Sequence, residues 1–418
     1  MDIKGFVRQV ALEAKAGARE LGRATSNVKN AALLAMAKGL REAAAALLSA
    51  NEADVKAAIA KGLSPAMIDR LTLNPKRIEE MAAGLEEVVA LPDPVGEITG
   101  MVQRPNGMMV GRMRVPIGVI AIIYESRPNV TADATALCLK AGNAVVLRGG
   151  SEAINSNRAI VEVLRVAIAK AGLHKGAVTF IDTPDREAVK EMLQLEGIID
   201  LVIPRGGEGL IRAVVENSRI PVLKHYKGVC HVFVDREADL QMAQDVVVNA
   251  KCQRPGTCNS METLLVDEPV AGEFLPLVSA ALQAAGVQLK GCAKSRAIVP
   301  SMGEAMEADY YVEHLDLRMN VKVVDGMEGA MDHIAQYGSL HTESIITKDY
   351  GRAMRFMREV DAASVMVNAS TRLSDGHQYG LGAEIGIATD KLHARGPMGL
   401  EELTCRKFVV LGTGQLRQ

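Results

Sequence analysis

Cys258 lies in Arg254-Pro255-Gly256-Thr257-Cys258-Asn259, a turn sequence between a helical run and a strand. Gly256 lets the chain turn sharply there. Lys251 and Arg254 carry positive charge that would favour the thiolate, the form in which cysteine is a nucleophile. Two other cysteines read as packing residues. Cys138 in TALCLKAG and Cys230 in VCHVFVD fall on apolar patterns, where a free thiol behaves as a small hydrophobe. Cys252 shares the segment with Cys258 but closes the helical run, which makes it the second candidate.

Three further segments concentrate Gly, Arg and polar residues at predicted strand ends: Glu125–Asn129 (ESRPN), Arg148–Glu152 (RGGSE) and Pro204–Gly209 (PRGGEG). Both Arg-Gly-Gly stretches follow a strand and precede a helix, where backbone N–H groups and a helix N-terminus can hold phosphate. Each alone could be an ordinary tight turn, but their recurrence at equivalent junctions weakens that reading. Other chemistries lack their motifs. No strand is followed by G-x-G-x-x-G, and G-x-x-x-x-G-K-[ST], H-E-x-x-H and G-x-S-x-G are missing. The eight histidines have no ligand-like spacing with cysteines, so a structural zinc site is not expected and no metal is assigned.

The elements that must position these residues follow from hydrophobic period. Residues 1–90 read as helical. Ser26 is expected to cap a long helix with Leu33, Met36, Leu40, Ala44 and Leu47 inward, and Asn74-Pro75 to start a second with Ile78, Met81, Leu85 and Val88 inward. The stretch 101–116 looks like two strands joined near Pro105-Asn106-Gly107. From Ile117 short apolar strands (GVIAIIY, 144–148, 178–182, 201–204) alternate with helices (Thr131–Lys140, Asn155–Ala171, Arg186–Glu196). Continuous apolar strands in that alternation mark a parallel sheet buried on both faces. A second αβ set runs from about Cys230 to about Asn368. The fold class is α/β: two αβ lobes with parallel sheets.

Composition narrows the function. Lys plus Arg number 48 against 50 Asp plus Glu, which argues against a nucleic-acid partner. Aromatic residues are 3% and Trp is absent, so the core must be aliphatic and stacking platforms are scarce. The start, MDIKGFVRQV, has charges where an export signal needs an apolar run, and the apolar stretch Val115–Tyr124 is about half of what a bilayer requires. The expectation is a cytoplasmic protein with free thiols and no membrane contact.

Asn249–Val266 (NAKCQRPGTCNSMETLLV), Tyr124–Asn129 (YESRPN), Lys391–Leu403 (KLHARGPMGLEEL) and Val324–Ile345 (VDGMEGAMDHIAQYGSLHTESI) resemble the aldehyde dehydrogenase superfamily, and within it the gamma-glutamyl phosphate reductase family. The likeness runs nearly end to end in matching order. It implies a discontinuous nucleotide-binding domain (1–95 and 117–228), a catalytic domain (229–380) and an oligomerisation element (96–116 and 405–418). It implies NADPH-dependent reduction of L-glutamyl 5-phosphate to L-glutamate 5-semialdehyde and phosphate, the second step of proline biosynthesis. It also implies a homo-oligomer and leaves open a transient contact with a glutamate kinase.

Carried over by position, Cys258 matches the nucleophile, and Asn129 matches the oxyanion-binding Asn across a gap. Arg148 stands where relatives place a Lys on the adenosine ribose or its 2′-phosphate, followed by Gly149, Gly150, Ser151 and Glu152. Gly206, Gly207 and Gly209 match the turn beside the cofactor, and Asp316 stands near a nicotinamide-ribose carboxylate. Arg127, Arg254, Lys227 and Arg395, with Asn259, are candidates for the substrate's phosphate and carboxylate, or else solvated and structural groups. One departure is informative. Relatives that hydrolyse their acyl-enzyme carry a Glu in Leu-Glu-Leu-Gly-Gly, where this chain reads Pro221-Val222-Leu223-Lys224-His225-Tyr226-Lys227-Gly228. A thioester that passes to hydride or phosphate needs no activated water, so the loss suits an acyl-phosphate reductase. The alternatives are another aldehyde dehydrogenase-like enzyme (acting on a different acyl phosphate, or oxidising aldehydes without phosphate) and a non-catalytic scaffold of the same fold.

Overall fold

The computed structural model describes residues 2–417, which divide into two units: one of 2–224, 380–386 and 398–417, the other of 225–379 and 387–397. No helix among the described residues is long and apolar enough to cross a membrane.

The first unit opens with five helices: α1 (Ile3–Leu21), α2 (Ser26–Glu42), α3 (Ala44–Ala60), α4 (Pro65–Leu71) and α5 (Pro75–Ala90). The start signal of α5 holds: the Asn74 side chain accepts from the Arg77 N–H at 2.8 Å, Pro75 fills the first turn, and Ile78, Met81, Leu85 and Val88 are buried. The expectation for Ser26 fails. Thr25 is the cap residue, and the Ser26 hydroxyl donates to Asp93 at 2.7 Å instead. The single long helix expected there is two, broken at Ala43.

Strands β1 (Ile98–Gln103) and β2 (Met109–Pro116) form an antiparallel hairpin, and Thr404–Leu411 pairs with β2 along its whole length. The main sheet then follows: β3 (Val119–Tyr124), α6 (Asn129–Lys140), β4 (Ala144–Gly149), α7 (Ile154–Lys170), β5 (Val178–Phe180), α8 (Glu187–Leu193), β6 (Leu201–Arg205) and α9 (Glu208–Asn217). Its order is β5-β4-β3-β6, all parallel. The chain winds outward from β3 through β4 to β5, then returns to the other side of β3. The reversal lies between β3 and β6, the crevice where such sheets bind ligands. Every residue of β3 and β4 is buried, as the apolar runs Val119–Ile123 and Ala144–Leu147 require; Arg148 is the charged exception, at the end of β4.

The second unit is a seven-stranded sheet, all parallel, in the order β10-β9-β11-β8-β7-β12-β13. Its elements are β7 (Cys230–Val234), α10 (Leu240–Cys252), β8 (Met261–Asp267), α11 (Glu268–Ala284), β9 (Gln288–Gly291), α12 (Ala293–Ile298), β10 (Gly303–Glu304), β11 (Arg318–Val324), α13 (Gly326–Tyr337), β12 (Thr342–Ile346), α14 (Tyr350–Glu359) and β13 (Ser364–Val367). Its core on the α10–α11 side is aliphatic apart from Phe274.

Candidate active site

The turn from α10 to β8 is held by an amide, a thiol, a glycine and one guanidinium, with no carboxylate among these groups. Asn259 is 4% exposed; its amide donates to the Ser374 carbonyl at 2.9 Å, and its oxygen accepts from the Thr257 hydroxyl at 3.0 Å and from the Arg372 guanidinium. The Cys230 thiol donates to the Cys258 carbonyl at 3.3 Å. Gly228 lies against the same peptide, so close that a Cβ there would sit 1.7 Å from the Cys258 carbonyl oxygen. Cys258 itself is half-buried. The turn therefore presents the thiol on a closely packed backbone.

Loop 225–229 is fixed as firmly. The His225 Nδ1 meets the Ile387 carbonyl at 2.8 Å, Lys227 donates to the Tyr311 carbonyl at 2.6 Å, the Gly228 N–H donates to Glu313 at 2.8 Å, and the Val229 N–H donates to the Ser339 hydroxyl at 2.8 Å. A carbonyl only accepts, so Nδ1 carries the His225 proton and the lone pair is on Nε2. The Cys258 sulfur, a ring nitrogen of His225 and one of His341 lie within 4.8 Å of one another. His341 is fully buried; burial, and then the His225 charge, push its pKa down to about 3, so it stays neutral.

The cations beside the thiol are not all those expected. Lys251 is sealed in the interior, 2.9 Å from Glu262, which burial pushes up to about 7 against the pull of Lys251. Its charge serves that pair, so the expectation that Lys251 favours the Cys258 thiolate is corrected. Arg254 is exposed on the turn. Arg372 takes the place of Lys251: it donates to Gln253 at 2.9 Å as well as to Asn259, and it is attracted by Cys258. Burial, then repulsion from Arg254, lowers its pKa. Cys252, the second candidate, has its thiol pushed up by burial, against a smaller lowering by Lys251.

Two other predicted residues are placed within salt bridges. Arg395 pairs with Asp361 at 2.8 Å, with its Nε and Nη2 buried and unpartnered. Asp316 is exposed, accepts from the Leu317 N–H at 2.8 Å and lies 3.7 Å from Arg318.

In the first unit, the three polar segments gather at the carboxyl edge of β4, β3 and β6. Ser126, with φ of 47°, holds a conformation unusual for a side-chain-bearing residue. Glu152 secures it, accepting from its N–H at 2.6 Å and its hydroxyl at 2.8 Å. Glu125 accepts from the Gly207 N–H at 3.2 Å, tying β3 to the start of α9. Asn129 begins α6 and donates to Asp133 at 2.8 Å; Arg127 is exposed. Arg148 is 8% exposed, donates to the carbonyls of Gly149 at 3.0 Å and Pro184 at 3.3 Å, and keeps its Nε buried without a partner. Burial lowers its pKa most, with Glu152 opposing and exposed Arg186 adding to the fall. A Cβ on Gly207 or Gly209 would meet open space, whereas Gly149 and Gly150 are packed by Asn157 and Glu152. An orphaned guanidinium nitrogen and two open glycines at the start of a helix fit a phosphate-bearing nicotinamide cofactor.

Sequence reasoning did not single out Arg372, Gly228, His225 or His341. Three had a signal: His225 and Gly228 lie in the segment that lost its carboxylate, and His341 lies in the Val324–Ile345 stretch. Arg372 had none.

Residues 6–305 match the model of the aldehyde dehydrogenase family. The chain is 63% identical to the gamma-glutamyl phosphate reductase of Thermodesulfovibrio yellowstonii and 58% identical to that of Desulfatibacillum aliphaticivorans, over the full length of both partners in each case. The crystal structure of the gamma-glutamyl phosphate reductase from Thermotoga maritima superposes with a TM-score of 0.97 at 48% identity, covering 99% of this chain and 100% of that one. An acetylating aldehyde dehydrogenase from Geobacillus thermoglucosidasius, 19% identical with a TM-score of 0.69 over 100% of this chain and 98% of its own, shares the fold.

Proposed function

The chain belongs to the aldehyde dehydrogenase family and, within it, to the gamma-glutamyl phosphate reductases, and from that premise we propose that it reduces L-glutamyl 5-phosphate with NADPH to L-glutamate 5-semialdehyde and phosphate, in proline biosynthesis. The observation that carries this reading is the setting of Cys258: a half-buried thiol on a closely packed turn, with a ring nitrogen of His225 within 4.8 Å of it, in the segment where hydrolytic relatives have a carboxylate.

His225 takes the thiol proton on Nε2, because its Nδ1–H is committed to the Ile387 carbonyl. The Cys258 thiolate attacks the acyl carbon, phosphate departs and a thioester remains. Arg372 and Arg254 supply positive charge for the departing phosphate, and Asn259 keeps Arg372 in place. Lys227 and Arg395 are assigned to the substrate's remaining charges, and Asn129 to the carbonyl oxygen as it becomes negative. Bound NADPH supplies the hydride that reduces the thioester to the aldehyde. Arg148 is assigned to its 2′-phosphate and Gly206, Gly207 and Gly209 to its diphosphate, all in the first unit, and Asp316, in the second unit with the thiol, to its ribose. The sheet of β1, β2 and Thr404–Leu411 is assigned to homo-oligomer formation. It exposes Ile98, Val102, Met109, Phe408, Val410 and Leu411, an apolar surface of the kind that subunits cover.

The test is the reverse reaction. With L-glutamate 5-semialdehyde and NADP⁺, NADPH should accumulate steadily only when inorganic phosphate is present; without it, a burst of about one turnover per site is expected. Sustained, phosphate-independent formation of glutamate would instead mark a hydrolytic aldehyde dehydrogenase.

A further inference from the structure

We propose that His225, Cys258 and His341 form a binding site for a borderline-soft divalent ion, zinc foremost, and that its occupation arrests the enzyme by capturing the thiol. One atom from each residue lies within 4.8 Å of the other two, and no other such group of His, Cys, Asp or Glu occurs among the described residues. The independent observation is His341. Its ring is fully buried, its Nδ1 is engaged by the Thr342 hydroxyl at 2.9 Å, and its Nε2 has no hydrogen-bond partner. A buried ring nitrogen without a partner is costly in either tautomer; with the proton on Nδ1, donated to the Thr342 hydroxyl, the Nε2 lone pair is one that a metal ion would satisfy.

The outer contacts are those of metal-bound imidazoles. A ligating histidine has its other ring nitrogen held by a carbonyl or similar group, which fixes tautomer and ring plane. The Ile387 carbonyl does this for His225, and the Thr342 hydroxyl for His341. Zinc binds sulfur at about 2.3 Å and imidazole nitrogen at about 2.0–2.1 Å, which sets the donors roughly 3.5 Å apart in a tetrahedron. From donors within 4.8 Å of one another, a closure of roughly 1 Å reaches that spacing. One thiolate and two imidazoles prefer zinc over magnesium or calcium, and leave a fourth position for water. On binding, the ion replaces the Cys258 thiol proton, which passes to solvent. The sulfur lone pair is then committed to the metal and cannot attack an acyl carbon. The inhibitory consequence rests on Cys258 being the nucleophile; the binding itself does not.

The experiment titrates the full-length protein with Zn²⁺ against a chromophoric chelator, and with Co²⁺ while recording the thiolate-to-cobalt absorption band. One ion per chain is expected, with turnover falling in step with occupancy and returning when the chelator is in excess. His341→Ala and His225→Ala should each weaken Zn²⁺ binding at least about tenfold, since loss of a direct ligand exceeds loss of an outer partner. Cys258→Ser should abolish the cobalt band. Unchanged affinity in folded His341→Ala, checked by circular dichroism, would overturn the three-ligand site. X-ray absorption at the zinc edge of the unaltered protein supplies a check that needs no variant: a first shell without two nitrogens and one sulfur overturns it too. Stoichiometric binding with undiminished turnover would leave the site standing and remove Cys258 as nucleophile. No binding by an active, phosphate-dependent enzyme would remove the site and leave the reductase reading intact.

Discussion

The carboxyl edge of the first unit's sheet and the Cys258 turn of the second are both closely braced, but the first by carboxylates and the second without them. At the first, carboxylates hold the backbone: Glu152 grips Ser126 and Glu125 grips Gly207. Charge-assisted bonds of this kind are strong, yet they place negative charge where an anionic ligand is to bind, and Arg148 offsets it. At the Cys258 turn, an amide, a thiol and a glycine do the bracing. Three carboxylates stand behind that turn, each with a partner: Glu262 is matched to Lys251, buried Glu343 meets His231, and Glu313 accepts from the Gly228 N–H. The turn that carries the nucleophile is itself braced without a carboxylate, whereas the site that only binds carries carboxylates at its rim.

The sharpest test of that division removes the thiol. Cys258→Ala should abolish turnover while leaving NADPH affinity unchanged within about twofold, because no charge at the nucleotide edge is altered. Fluorescence titration of NADPH checks the second half, and a large loss of affinity would mean that the two regions are not separable. Gly228→Ala comes next. Its Cβ would lie 1.7 Å from the Cys258 carbonyl oxygen and 2.5 Å from the carbonyl carbon, so only backbone movement can relieve it. A displacement of about 1 Å at a reacting group costs about 100-fold in kcat. Gly207→Ala, which meets nothing within 4 Å, should leave urea stability within about 0.5 kcal/mol of the parent. Similar damage from both would show that the two turns are equally tight.

Arg148→Ala probes the other side. The guanidinium gives a 2′-phosphate a charge-assisted bond that a 2′-hydroxyl cannot match, worth roughly 1.5–3 kcal/mol. NADPH should weaken by about tenfold to a hundredfold and NADH far less; equal losses in parallel titrations would show that Arg148 does not read the phosphate.

How far the sequence anticipates these regions follows from how local their signals are. Strand runs such as Val119–Ile123 and Ala144–Leu147 announce a buried parallel sheet because burial on both faces selects apolar residues; the polar Arg148 comes only at the strand's end. The Asn74-Pro75 start is legible because the cap bond spans three residues. Ser26 misleads because its hydroxyl prefers Asp93, distant in sequence. The fate of Lys251 is hidden for the same reason: its partner Glu262 lies on the next strand, and nothing in the turn sequence shows which lysine is sealed inside. Arg372 belongs to a loop without pattern, and only the tertiary fold brings it to Asn259. The cysteine in its turn could be singled out from sequence, but not the imidazoles and guanidinium around it.

The smallest expected effect bears most directly on the charge argument. Glu152→Gln keeps an oxygen that can accept from the Ser126 N–H and hydroxyl, so the strained φ of 47° stays supported, but removes the negative charge that opposes Arg148 in attracting a phosphate. The neutral acceptor is weaker, and stability should fall by no more than about 1 kcal/mol. Relief of repulsion at a partly solvated rim is worth about 0.5 kcal/mol, so NADPH should bind roughly twofold more tightly. The gain should shrink at high salt, where such charges are screened. Tighter NADPH binding with unchanged kcat would confirm that the carboxylate serves to brace the loop and that its charge opposes the cofactor; weaker binding would mean that Glu152 contacts the cofactor, and the contrast between the two regions would then lie in their ligands and not in their bracing.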